Sequence, residues 1–225
     1  MSPIHLKSNL LFFLLLISQL SFAQENKSFV LDKDFFLLGA TQHIIGKWKG
    51  TKNNESINSF YETKKPLLFY LFTTFKKEYP DLKIDAVEGK TYLLNSNELA
   101  KKVNSYYNWI YDDGVTNEAS DSLFRGELNP KIFKTNSQKV SFLLGAYMRC
   151  GEKEKNSCVI SLVNESEKFK IVLRILKEIQ CKKIRTKITN GIPSGFIIYF
   201  EPSCTFNNIL AQVEEFVRVE DEKLK

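Results

Sequence analysis

Imidazole and thiol are scarce in this chain. Two histidines, His5 and His43, and four cysteines, Cys150, Cys158, Cys181 and Cys204, are the whole supply. His5 falls in an apolar leader, so His43 alone would carry any imidazole chemistry, which argues against a Ser-His-Asp hydrolase or a His-rich metal enzyme. A single His in an apolar stretch reads first as a packed or surface residue. Asp112-Asp113-Gly114 has the make-up of a divalent-cation site, although Asp-Gly equally favours a turn. The cysteines show no CxxC or HxxxH spacing, which disfavours zinc. An even number in an exported chain favours disulfides, and Cys150–Cys158 and Cys181–Cys204 are the preferred pairs because each joins neighbouring elements.

The export inference comes from residues 1–23. Leu10 to Ile17 is an apolar core, and Ser21-Phe22-Ala23 places small residues where a signal peptidase reads, so cleavage after Ala23 and a secreted or periplasmic protein are expected. The apolar run is shorter than the roughly 20 residues of a membrane span, and none later is longer, so no stable membrane insertion is expected. The full sequence is 43% apolar and can bury a core, which argues against a disordered polypeptide. Its charge is uneven: residues 24–130 hold 14 basic and 15 acidic side chains, residues 131–225 hold 17 and 11.

Phe36-Leu37-Leu38-Gly39-Ala40 recurs as Phe142-Leu143-Leu144-Gly145-Ala146. The second copy lies in a helix from Asn136 or Ser137 through Arg149, followed by a strand over 156–163, a helix opened by Asn164 and Glu167, and two strands, Lys182–Thr189 and Gly195–Glu201. Thr205 then caps a final helix. The first copy runs more loosely in the same order. Asp34 caps a helix to Ile45, 47–52 and 57–62 form a hairpin, Pro66–Tyr79 a helix, Lys83–Val87 and Thr91–Leu94 a hairpin, and Ser96 caps a third helix. The expected fold is α+β, with two tandem α-β-β-α-β-β-α repeats over 24–108 and 135–225, related by a pseudo-twofold axis and joined by a polar linker over 109–134.

This arrangement resembles the two-repeat form of the LAGLIDADG homing-endonuclease family. Leu143-Leu144-Gly145-Ala146-Tyr147-Met148-Arg149-Cys150-Gly151 overlays its signature, and Leu128-Asn129-Pro130-Lys131-Ile132-Phe133 looks like its Lys/Pro segment before the second motif. The resemblance implies that Gly39 and Gly145 lie where the two motif helices pack side by side. It also implies an acid before each closing glycine, to bind metal against the scissile phosphate. Those positions are Ile44 and Cys150, neither of which is a hard oxygen ligand, and Glu152 lies past the helix end. Cleavage by the family mechanism is therefore not expected, and no cofactor or metal is implied.

The resemblance further implies a concave sheet facing DNA. Lys183, Arg185 and Lys187 alternate along one strand, Arg149, Lys153 and Lys155 would lie on its rim, and Lys47, Lys49 and Lys52 supply the first copy. The expected partner of this monomer is double-stranded DNA. The alternative is an exported, disulfide-braced interaction module for an unknown protein or acidic ligand. An active nuclease using Asp112 and Asp113 is a third reading.

Overall fold

The structure is a computed structural model and describes residues 29–41, 47–49, 56–87, 89–116, 122–155 and 157–222. The leader, His43, Ile44 and Lys52 lie outside the described residues. Among the described residues the fold is α+β, with six α-helices and three antiparallel sheets.

Two helices form the centre. α1 (Lys33–Ala40) is buried from Phe35 to Ala40, and α4 (Asn136–Cys150) from Val140 to Tyr147. A helix apolar on all sides must be enclosed, and these two enclose each other. Their contact requires glycine. A Cβ on Gly39 would lie 1.9 Å from the Phe142 carbonyl oxygen and 2.8 Å from Ala146 N, and a Cβ on Gly145 would lie 2.0 Å from the Phe36 oxygen and 2.8 Å from Ala40 N. The two glycines thus meet matching backbone atoms of the opposite helix, and no side chain larger than hydrogen fits.

Around this pair the chain builds β2 (Ser56–Tyr61), α2 (Lys65–Lys76), β3 (Lys83–Val87), β4 (Thr91–Asn95) and α3 (Asn97–Ser105) on one side. On the other side lie β7 (Gly151–Glu154), β8 (Ser157–Val163), α5 (Ser166–Glu178), β9 (Lys182–Thr189), β10 (Gly195–Glu201) and α6 (Cys204–Glu222). The first set forms a sheet in the order β2-β4-β3 and the second one in the order β7-β8-β10-β9. Helices cover one face of each sheet, where Leu94 and Phe60, or Ile198 and Phe200, are buried.

Several local expectations are corrected. β1 (Lys47–Lys49) does not pair with β2. It joins β6 (Ser122–Leu128), which pairs with β5 (Tyr107–Thr116), so the stretch read as a polar linker carries a β-hairpin. Asp112 and Asp113 lie inside β5, not in a helix end or turn. The helix caps shift as well. Asp32, not Asp34, accepts from Phe35 N; Thr135 forms a capping box with Gln138; and Ser203, not Thr205, accepts from Phe206 N. Asn164 takes positive φ and does not cap α5; its side chain accepts from Ser194 N at 2.8 Å, tying β8 to the β9–β10 turn. Ser96 caps α3 as expected.

Candidate nucleic-acid interface and the ends of the core helices

The C-terminal ends of α1 and α4 lie together, since Lys168 bonds Thr41 and its charge also acts on Cys150. The last carbonyls of a helix need donors. Lys168 Nζ donates to the Thr41 oxygen at 2.7 Å, and Lys64 Nζ donates to the Met148 oxygen at 3.0 Å. Lys168 is fully enclosed and stands 3.5 Å from the equally enclosed Glu165. Arg149 is 5% exposed, donates to the Ser59 oxygen at 2.7 Å and lies 4.5 Å over the Phe60 ring. Burial holds the Lys64 ammonium and the Arg149 guanidinium below their usual values, and it pushes the Tyr107 hydroxyl up.

At the position of the second motif acid stands Cys150, its thiol pushed up by burial among Lys168, Glu165, Arg149 and Lys64. The helix ends therefore gather three cations and one enclosed carboxylate. That set neutralises helix-end carbonyls. Among the described residues no group of three or more His, Cys, Asp or Glu is placed to hold a metal ion. The first motif-end position, Ile44, lies outside the described residues.

Lys64, Glu165 and Lys168 were not among the residues singled out by sequence reasoning. A signal existed for Lys168: it sits four and seven residues before Val172 and Ile175, inside the buried stripe of α5. A charge on such a stripe must find a buried partner.

The face of the four-stranded sheet away from the helices holds part of the expected basic set. Phe196, Ile198 and Phe200 point to the helices, so Ile197, Tyr199 and Glu201 point away, and their register partners are Lys187, Arg185 and Lys182. Arg185 lies 5.7 Å over the Tyr199 ring. Arg185 and Lys187 therefore share an open face, as expected. Lys183 departs from the alternation: it has positive φ at a register shift and pairs with Glu201 at 2.7 Å.

Other candidates lie elsewhere. Lys153 is opposite Cys158, hence on the face to which Phe200 belongs. Arg149 is enclosed by its Ser59 and Phe60 contacts. Lys47 and Lys49 belong to the separate β1-β6-β5 sheet. The open face of β2-β4-β3 is not basic. Its Lys83 pairs with Asp85 at 3.5 Å, and Asp85 accepts from Asn95 at 2.6 Å. The charge imbalance along the chain thus becomes an imbalance between two sheet faces.

The expected disulfides are absent, and all four cysteines are free. Register explains the first pair. Gly151 faces Ile160 and Lys153 faces Cys158, so Cys150, the last residue of α4, precedes the ladder and is not opposite Cys158. In the second pair, Cys181 is buried and bonded to Ser203, while Cys204 is exposed.

No protein-family model matches the chain, and no curated protein is similar to it in sequence. Solved structures of I-DmoI, a LAGLIDADG homing endonuclease, are similar in fold. A variant in complex with its target DNA and manganese is 15% identical over 75% of this chain and 86% of that chain, with a TM-score of 0.46. Mesophilic variants of I-DmoI give 16% identity over 75% of this chain and 82% of theirs, also at 0.46. I-DmoI in complex with DNA and manganese gives 18% identity over 75% and 89%, with a TM-score of 0.44.

Proposed function

We propose that the chain is a two-repeat protein of LAGLIDADG type that binds double-stranded nucleic acid without cutting it. The repeats span about 24–108 and 135–225 and are related by a pseudo-twofold axis. The reciprocal contacts of Gly39 and Gly145 support that symmetry. So do the matching strand orders, β2-β4-β3 beside β8-β10-β9. The observation that carries the binding reading is the helix-free face of the second sheet, where Arg185 and Lys187 stand beside Tyr199. Cationic side chains on an open sheet neutralise phosphates and release counterions. Against cleavage stands Cys150 at the position where the family carries an acid, with Lys64, Arg149 and Lys168 around it. An exported interaction module with no nucleic-acid role would draw its bracing from two disulfides, and all four cysteines are free. Export through residues 1–23 remains part of the proposal, and N-terminal sequencing of secreted protein checks for a start at Gln24.

Fluorescence anisotropy with labelled duplex DNA tests the reading. Binding is expected at 50 mM salt and is expected to weaken steeply toward 200 mM, with no nicking in Mg²⁺ or Mn²⁺. Absence of binding at low salt would overturn the interface. Metal-dependent nicking would overturn the non-cleaving part.

A further inference from the structure

Between Lys187 and Glu201 the chain carries no charged side chain, whereas Lys182, Lys183, Arg185 and Lys187 crowd the residues just before. The fold sets these two stretches end to end. The β9–β10 ladder closes at Thr189 and Gly195, Gly195 also faces Val163 of β8, and the turn 190–194 lies past that last row. Ile192 in this turn is wholly exposed, Ile188 is 54% exposed and Val163 42%. Ile188 shares the face of Phe196 and Val163 the opposite one, so apolar side chains meet water on both sides of the sheet end.

The turn is fastened to its neighbours. Asn164 N donates to the Ser194 oxygen at 2.8 Å, Ser194 N donates to Asn164 Oδ1 at 2.8 Å, and Ser194 Oγ donates to the Gly191 oxygen at 3.2 Å. These bonds hold Ile192 in water, and apolar surface held in water gains by leaving it.

We propose that this sheet end is a peripheral docking tip for a bilayer that contains anionic lipid. A stable protein partner covers about 800 Å² of a surface, more than one short turn offers. A bilayer accepts a narrow apolar projection, because its acyl chains close around it. Charge selects the lipid. Residues 182–201 hold four cations and one carboxylate, Glu201, which Lys183 pairs at 2.7 Å. The carboxylates bordering the turn are engaged. Glu167 accepts from Lys170 at 2.6 Å, Glu127 acts on the same ammonium, and Glu165 stands 3.5 Å from Lys168. Lys187 lies about 7 Å behind Thr189 along the strand, and Arg185 as far again. With the hairpin end-on and its tip sunk by about 5–10 Å, Lys187 stands at the level of the phosphates and Arg185 at their outer edge. Tyr199, beneath Arg185, has the amphipathic ring that suits this depth. Arg185 and Lys187 also belong to the duplex-binding face, whereas Ile192 serves the bilayer alone, so one substitution separates the two partners.

Co-sedimentation of the chain starting at Gln24 with lipid vesicles tests the proposal. Residues 31–225 form a compact unit of their own, and this form omits the apolar leader. Binding is expected to phosphatidylcholine vesicles that contain phosphatidylglycerol, and not to phosphatidylcholine alone. Ile192→Ser is expected to weaken it by about tenfold or more, with duplex-DNA affinity and melting temperature unchanged. Arg185→Gln with Lys187→Gln is expected to weaken vesicle and duplex binding together. In Ile192→Trp the emission of the added indole is expected to move to the blue with anionic vesicles and to be quenched by acyl-brominated lipid. No binding to anionic vesicles, equal binding to neutral ones, or full binding by Ile192→Ser overturns the proposal. So does a dimer that Ile192→Ser abolishes in the absence of any vesicle binding, which would assign the tip to a second copy of the chain.

Discussion

Lys64 and Lys168 make the same contact on opposite partners. Lys64, just before α2, donates to the Met148 oxygen near the end of α4, and Lys168, in the first turn of α5, donates to the Thr41 oxygen past the end of α1. Each lysine reaches from one side of the molecule to the core helix of the other. The helix ends, where backbone carbonyls would otherwise go unmatched, become the place where the two sides are tied together.

The two ties differ in depth. Lys168 is enclosed with Glu165, so Lys168→Met leaves a carboxylate buried beside an apolar group and is expected to cost about 3–5 kcal/mol in urea unfolding. Lys64 is only half-buried, and Lys64→Met is expected to cost about 1–2 kcal/mol. Adding Glu165→Leu to Lys168→Met should recover part of the loss, because the orphaned charge goes with it. A double variant less stable than the sum of its parts would contradict the pairing.

The glycine contact leaves no room for a methyl group. Gly39→Ala and Gly145→Ala each drive a Cβ into a backbone carbonyl, which cannot swing aside as a side-chain end can. Each is expected to cost about 3 kcal/mol or more, at the upper end of overpacking effects. Because both act by separating α1 from α4, the double variant should lose less than the sum. Thermal melts of the three variants check this, and near-neutral single variants would show that the helices do not pack so closely.

Burial raises the thiols of Cys150, Cys158 and Cys181 in the folded chain. Their contribution to stability is complete below the unfolded thiol value of about 8.5 and is lost as pH rises through the folded values. The urea midpoint should therefore fall from pH 8 to pH 10, and less so in Cys150→Ala or Cys158→Ala. Lys64 acts in the opposite sense: burial lowers its ammonium in the folded chain, so its cost is relieved as pH rises toward the unfolded lysine value of about 10.4. Thiol titration at pH 8 should find Cys204 reacting at once, half-buried Cys150 more slowly, and Cys158 and Cys181 only as the fold opens. Four equally fast thiols would contradict the burial.

Arg149 and Arg185 were read alike in the sequence, yet their substitutions should separate. Arg149→Ala removes an enclosed guanidinium from the Ser59 oxygen and the Phe60 ring, so stability should fall by about 2–3 kcal/mol with little change in the salt dependence of DNA binding. Arg185→Ala with Lys187→Ala should leave the melt unchanged and reduce the slope of log K against log salt by about 2, roughly 0.9 per phosphate contact. Identical slopes would place the DNA contact elsewhere.

The second motif could be read almost residue by residue, because a buried helix writes its enclosure as an unbroken apolar run, and Phe142 to Tyr147 is one. The alternation of Arg185 and Lys187 likewise survived into the fold. Pairing of strands did not. Lys47–Lys49 resembles half of a local hairpin, yet its partner is β6, more than 70 residues later, since strand character says nothing about which strand accepts the hydrogen bonds. Asn164 followed by Glu167 satisfied the pattern of a capping box, but positive φ at Asn164 turned its side chain to Ser194. The enclosed Glu165–Lys168 pair was missed because i,i+3 charges ordinarily mark a solvated helix surface.

β9 is the outermost strand of its sheet and is exposed along nearly its whole length. Such an edge offers unpaired backbone groups to any other strand, the usual start of aggregation. Lys182, Lys183, Arg185 and Lys187 lie along it, with a register shift at its start. Two copies approaching edge to edge would bring eight cations together before a single backbone bond could form. The basic strand thus protects the solubility of the folded chain whatever it binds, and charge reversal at Arg185 and Lys187 should shorten the time to aggregation as well as change affinity.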